Sequence, residues 1–114
     1  MRDSVNSSGG TFAIVFVPEK IRVLGPNCEF PPTSSVRDYE SHFSPLRGWL
    51  TEWCAKQGIA TLDLTSALTE STQAGKVPWF SYDTHPNAIG HRVIASAIES
   101  WDAVTKWKGS QPKK

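Results

Sequence analysis

The feature that most constrains this chain is a continuous apolar run over residues 11–17, Thr-Phe-Ala-Ile-Val-Phe-Val, which Pro18 ends. An unbroken run rich in β-branched residues is typical of a strand that is buried on both faces of a parallel sheet. A second run, Ile59–Leu64, has the same character. A loop and a helix separate the two runs, so the connection is a crossover and the strands should be parallel. The sequence therefore predicts an α/β fold.

A long loop and one helix fill the crossover. Gly and Pro clusters predict a loop over residues 25–44, and Pro45 suits the first turn of a helix with Ser44 as its N-cap. Gly58 is a natural residue to end that helix. Apolar residues at three- and four-residue spacing form a stripe that we expect to face the core. The stripe consists of Leu46, Trp49, Leu50, Trp53 and Cys54.

Two helices should follow the second strand. Thr65 or Ser66 can cap a short helix through about Thr72, and a longer helix should run from about Asn87 to Trp107. The expected buried face of the longer helix consists of Ile89, Val93, Ile94, Ala97, Ile98, Trp101 and Val104. Residues 1–10 are interpreted as a flexible polar lead-in and residues 108–114 as a flexible tail.

Two parallel strands are too few for a self-sufficient sheet, because parallel sheets need several strands and cover on both faces. We therefore interpret residues 1–114 as a single partial domain. The missing strands would lie upstream in a longer protein or come from another chain. An exposed sheet edge would also allow the chain to associate with itself.

Charge and hydropathy exclude several classes of function. The chain has 12 basic and 11 acidic residues, a formal net charge of +1, whereas nucleic-acid binding needs a clear cationic excess. No apolar run approaches the ~20 residues of a membrane span. The first ten residues have no apolar segment of the kind found in signal peptides.

The two cysteines leave the compartment open. Neither Cys28 nor Cys54 lies at a zinc-ligand spacing. A Cys28–Cys54 disulfide would suit a periplasmic or secreted parent protein, and two separate thiols fit the sequence equally well. The localisation therefore stays unknown from the sequence.

The segment that carries chemistry contains Asp83 and His85. Residues two apart in an extended segment point to the same side, so the carboxylate can reach the imidazole Nδ1 and leave Nε2 free as a base. Pro86 keeps His85 out of helical geometry, and Asn87 can cap the following helix. The pair would then lie after the carboxyl end of the second strand, where sites collect in α/β sheets. Alternatively, both side chains simply bond to the backbone around a tight loop.

Residues 83–92, Asp-Thr-His-Pro-Asn-Ala-Ile-Gly-His-Arg, resemble the last sequence block of the SGNH/GDSL hydrolase superfamily. Residues 16–24 and 59–65 are similar to segments of the branch related to alginate and cell-wall O-acetyltransferases. The three segments lie in the family's order within residues 11–104. The resemblance implies a flavodoxin-like, three-layer α/β/α fold with parallel strands, of which this chain would be the C-terminal portion.

The resemblance also implies acyl-ester chemistry on carbohydrates without a cofactor or metal. His85 would be the general base and Asp83 would orient it, with Asn87, His91 and Tyr82 in supporting places. The family's Gly-Asp-Ser block and its oxyanion-hole Gly and Asn blocks are absent from the chain. The nucleophile is therefore unknown, and we expect no hydrolysis by the chain alone.

Two further residues could have a role in the site. Ser4 is a poor nucleophile candidate, because Arg2 replaces the family's Gly and no apolar strand precedes it. Lys20 follows the first strand and could meet substrate or an acidic loop, although a structural role is preferred.

Asp63 and His91 are interpreted as structural residues. Asp63 is expected to cap the short helix. His91 is expected to pack rather than catalyse, and a metal site with Asp83 and His85 is disfavoured, since histidines six residues apart share a helix face poorly. Trp79, Phe80 and Tyr82 could line an acyl or sugar pocket or pack in the core.

Two alternatives to an esterase remain. The first is a non-catalytic fragment or interaction module that pairs through its sheet edge. The second, a flavodoxin-like binding domain, is disfavoured because no Gly-rich phosphate loop follows residues 11–17.

Overall fold

The computed structural model describes residues 1–38 and 45–112. Within these ranges the chain is a mixed α/β structure. The predicted N-cap Ser44 lies outside the described residues. The elements in chain order are α1 (Arg2–Ser7), β1 (Ala13–Phe16), α2 (Lys20–Leu24), a 3-10 turn (Gly25–Asn27), α3 (Leu46–Gln57), β2 (Ala60–Asp63), α4 (Thr65–Gln73), α5 (Ala88–Ser100) and α6 (Asp102–Ser110).

The two predicted strands form one parallel pair. Ala13 lies opposite Ala60, and Phe16 lies opposite Asp63. The Leu64 N–H donates to the Phe16 carbonyl over 3.0 Å. Because successive residues of a strand turn their backbone groups to opposite edges, the backbone groups of Ala13 and Val15 face away from β2. The parallel pairing predicted from the crossover is confirmed.

A small apolar core lies on one face of this sheet. Val23, Leu64, Leu68 and Trp79 are buried together. Half-buried apolar residues from both strands and from α5 pack against them, namely Val15, Leu62, Val93, Ile94 and Ala97, together with Leu24. The core therefore joins α2, α4 and α5 to this face of the sheet.

Helix α3 ends as expected but does not bury its apolar stripe. Gly58 follows it with a left-handed φ of 64°, which glycine adopts without strain. Cys54 is fully buried, whereas Trp49 and Trp53 are 58% and 39% exposed, with their rings stacked and their centroids 6.0 Å apart. The prediction that the whole stripe faces the core is wrong, because helical spacing places residues on one face without specifying what covers it.

The two ends of the chain also depart from expectation. The polar lead-in contains the short helix α1. The long C-terminal helix is split at Trp101, whose φ and ψ of −67° and 129° are extended. The Ser100 hydroxyl donates to the carbonyls of Ser96 and Ala97 at the end of α5. Asp102 then begins α6, where the helix dipole favours a negative charge.

The sheet is left open. None of its eight residues is buried, whereas parallel strands are normally covered on both faces. The chain exposes 8148 Å², about 1,900 Å² more than the roughly 6,200 Å² of a compact monomer of this mass. The radius of gyration of 17.1 Å likewise exceeds the ~13 Å of a compact domain of this length. The chain therefore exposes more surface and is more extended than a compact domain of its mass.

The thiols and the helices add two further observations. Cys28 is exposed and Cys54 is buried, and both are free, which agrees with the alternative of two separate thiols. In residues 1–38 and 45–112, no helix is long and apolar enough to cross a membrane.

Candidate active site

The Asp83–His85 segment is held at its base by Asn87. The Asn87 side-chain oxygen accepts from the backbone N–H groups of Ile89 and Gly90 at 2.9 and 3.0 Å, which caps α5 as the sequence predicts. Its amide nitrogen donates to the carbonyls of Val77 and Trp79 at 2.9 and 3.0 Å. One side chain therefore joins the start of the helix to the strand-like segment that enters the loop.

Gly90 allows α5 to begin in contact with that segment. A Cβ atom at residue 90 would collide with the Pro78 carbonyl oxygen and touch Pro86. Trp79 and Pro86 form an isolated antiparallel bridge beside this contact. The close approach therefore depends on the missing side chain, and the loop emerges from a fixed base.

Asp83 and His85 lie together within the loop. The Asp83 Oδ1 accepts from the His85 backbone N–H at 2.7 Å and lies 3.4 Å from the imidazole Nδ1. The second distance is within reach of an ion pair but longer than an optimal N–H···O bond. The His85 side chain is 80% exposed. One Asp83 oxygen therefore bonds to the backbone and also faces the imidazole.

Lys20 fixes the loop from outside. Its ammonium group donates to the carbonyls of Phe80 at 2.6 Å and Asp83 at 2.8 Å, and lies 3.5 Å from that of Ser81. Because Lys20 opens α2 just after β1, these bonds place the loop at the carboxyl end of the sheet. The sequence favoured a structural role for Lys20 but gave no partner. The only sequence signal for this role was the position of Lys20 just after a predicted strand.

Two aromatic side chains belong to the same loop as the pair. Phe80 and Tyr82 lie with their ring centroids 5.4 Å apart and a tilt of 31°. They are 39% and 80% exposed. Trp79, by contrast, is buried in the core. The sequence left open whether these aromatic residues line a pocket or pack in the core. Trp79 packs in the core, and Tyr82 is exposed to solvent on the loop.

In the described part of the chain, no hydrogen bond or ion pair joins His91 or Ser4 to this pair. His91 is exposed on the first turn of α5, and its backbone N–H donates to the Asn87 carbonyl. Ser4 belongs to α1, whose Arg2 lines a pocket with Phe12 and Ile59. Those two residues precede the strands, so Ser4 lies at the amino end of the sheet, opposite the loop that Lys20 anchors.

Asp63 has the capping role expected for it. Its Oδ1 accepts from the Thr65 N–H and hydroxyl at 2.9 and 2.6 Å, and its Oδ2 accepts from Arg47 at 2.6 Å. Partial burial works to raise the pKa of Asp63, but the Thr65 and Arg47 hydrogen bonds outweigh it and hold the pKa below its usual value. Asp63 is therefore a structural anion that joins β2, α3 and α4.

The loop presents an exposed imidazole on an open surface. Asp83 approaches Nδ1, so the exposed Nε2 is the nitrogen available to a reacting group. No hydrogen bond joins the imidazole to a serine hydroxyl within residues 1–38 and 45–112. A groove of about 750 Å³ runs between α4 and α5, but neither Asp83 nor His85 lines it. In the described part of the chain, no cluster of three metal-ligating side chains occurs.

Comparison with known proteins adds nothing to this site. The chain matches no protein-family model, and no curated protein or solved structure matches it.

Proposed function

We propose that this chain carries the acid–base half of a site that cleaves or transfers acyl esters. The observation that carries the proposal is the exposed His85 imidazole with its Nδ1 3.4 Å from the Asp83 carboxylate. The loop lies at the carboxyl end of parallel strands, which is where α/β proteins place reactive groups. The resemblance to the SGNH/GDSL superfamily supports the same assignment and the three-layer fold that goes with it.

In this proposal the two side chains divide the proton transfers. His85 Nε2 takes the proton from an attacking hydroxyl and returns it to the leaving alkoxide. Asp83 holds the imidazole in one tautomer and stabilises the imidazolium that forms. The attacking serine and the oxyanion-hole donors come from a polypeptide other than the described residues. The exposed face of His85 gives such a group access.

We further propose a carbohydrate ester as the substrate. Phe80 and Tyr82 expose ring surface on the loop that carries His85. The apolar C–H face of a sugar ring can stack on such a surface, which would place an ester oxygen on the sugar near the imidazole. Tyr82 also offers a hydroxyl group that can bond to a sugar hydroxyl.

The test is an assay of short-chain nitrophenyl ester hydrolysis by the chain alone and in combination. Alone, we expect background turnover equal to that of His85→Ala. The polypeptide encoded immediately upstream is then co-expressed with the chain. The complex should turn over ester, and His85→Ala and Asp83→Asn should remove most of that activity.

His91→Ala serves as the matched control, because it removes an exposed histidine from the same region. The proposal is wrong if the complex hydrolyses ester equally well with and without His85. Turnover by the isolated chain that depends on His85 would contradict the absence of a nucleophile and would require a serine of this chain near the loop.

A second candidate is a non-catalytic interaction module. The observation that favours it is the open edge of β1, where the backbone groups of Ala13 and Val15 face away from β2. Unpaired strand edges readily accept another strand. In this case the Asp83–His85 loop would have no catalytic role, and association through the edge would be the function.

A further inference from the structure

We propose that Lys20 is a positioning residue that sets where the Asp83–His85 pair lies relative to the sheet. The inference rests on the proposed function for its catalytic meaning. Its structural basis is direct, because the Lys20 ammonium donates to the carbonyls of Phe80 and Asp83 at 2.6 and 2.8 Å. The bound carbonyl of Asp83 belongs to the same residue whose carboxylate faces the imidazole.

Within the described residues, the other hydrogen bonds of the loop are internal. The Phe80 N–H donates to the His85 carbonyl, and the His85 N–H donates to the Asp83 carboxylate. Among the residues in ranges 1–38 and 45–112, Lys20 makes the only hydrogen bonds between residues 80–85 and an element outside residues 77–90. Without it, the loop could pivot on its base at Trp79 and Pro86, and its internal hydrogen bonds would open more often.

A lysine suits this position for chemical reasons. An ammonium group has three donors and no acceptor, and here it faces three backbone carbonyls at 2.6–3.5 Å. Bonds from a charged donor are stronger than those between neutral groups. No carboxylate within the described residues pairs with Lys20, so its charge is committed to the loop carbonyls.

The experiment compares two variants of Lys20. Lys20→Met keeps a side chain of similar length but removes the hydrogen-bond donors, and Lys20→Arg keeps the charge. In Lys20→Met, we expect the Phe80 and His85 amides to exchange with solvent at least about tenfold faster, because the loop opens more often. The imidazole ¹⁵N resonances of His85 should move toward those of Asp83→Asn. Lys20→Arg should restore part of both effects.

Lys76→Met is the matched control, because Lys76 is an exposed lysine directly before residues 77–90. It should leave all these signals unchanged. The His91 amide, inside α5, should exchange at the wild-type rate in every variant, which separates loop opening from general unfolding.

Faster loop exchange with unmoved His85 resonances would overturn the proposal, because Lys20 would then tether the loop without positioning the pair. If Lys20→Met does not fold, the wild-type chain provides the test through the ¹⁵N signal of the Lys20 ammonium. A slowly exchanging ammonium is expected, and one that exchanges like a solvated lysine would contradict the contacts. Neither measurement needs turnover, so each outcome is independent of the acyl chemistry.

Discussion

At residue 90 a hydrogen atom stands where any other residue would place a carbon against the Pro78 carbonyl. The glycine is buried within the first turn of α5, and it lets the helix start where Asn87 caps it. Gly48 offers the opposite case. It lies inside α3, and a Cβ there meets nothing within 4 Å. Two helical glycines thus have opposite relations to their surroundings.

We expect Gly90→Ala to lower the free energy of unfolding by about 1–3 kcal/mol, the usual cost of overpacking. Gly48→Ala should raise it by about 0.5–1 kcal/mol, because alanine is the better helix former. Urea unfolding followed by far-UV circular dichroism measures both. A stabilising Gly90→Ala would show that α5 can retreat from Pro78 without loss.

The residues of the candidate site were partly predictable. The two-residue spacing of Asp83 and His85 predicts that they meet, because alternation along an extended segment is a local rule. The cap at Asn87 is equally local. The partners of Lys20 lie 60 and 63 residues further along the chain. No local pattern reports a contact at that separation, so the sequence could place Lys20 after a strand but not on the loop.

At the scale of elements, a single aspartate joins three of them. Asp63 ends β2, accepts hydrogen bonds from Thr65 at the start of α4, and pairs with Arg47 in α3. Its pKa is below the usual value in the fold, so the ionised form stabilises the folded state. That contribution is complete above the ordinary aspartate pKa of about 4 and is lost as the pH falls through the lowered value.

We therefore expect the melting temperature of the wild-type chain to fall more steeply with acidification below about pH 4 than that of Asp63→Asn. At pH 7 the variant should be the less stable of the two. Thermal melts from pH 7 to pH 2 measure this. Asp3→Asn, at an exposed position, is the control and should follow the wild-type curve. Parallel curves for Asp63→Asn and wild type would contradict the capping role.

The elements were predictable where one periodicity dominates. The apolar runs gave both strands, and the stripe ending at Gly58 gave α3. Three features were not predictable from the sequence, each for a physical reason. Helix α1 is polar and has no stripe, the break at Trp101 interrupts a pattern that continues on both sides, and the exposure of Trp49 depends on what packs against α3.

At the scale of the whole molecule, the two-stranded sheet has no further strand at its β1 edge within the described residues. Natural edge strands are usually protected by a charged residue or a proline, yet residues 11–17 contain neither. A net charge of +1 gives two copies little electrostatic repulsion.

We expect the isolated chain to self-associate through β1 when no other strand covers that edge. Sedimentation at micromolar concentration should give a species of twice the 12.6 kDa chain mass. Ala13→Pro should shift it to monomer with the fold retained, because the Ala13 N–H faces away from β2 and proline is tolerated at such edge positions. Val77→Ser, at an exposed apolar position elsewhere, should not. A monomer at every concentration would contradict the prediction.

The Lys20 anchor also fixes an order of events in folding. It joins residues 60 and more positions apart, and closing so long a stretch of chain is entropically unfavourable until other contacts have brought its ends together. The pairing of β1 with β2 does this, because α2 then lies beside the segment that follows α4. The loop that carries Asp83 and His85 should accordingly become ordered after the sheet has formed. During unfolding, it should be among the first parts to lose its contacts with the sheet.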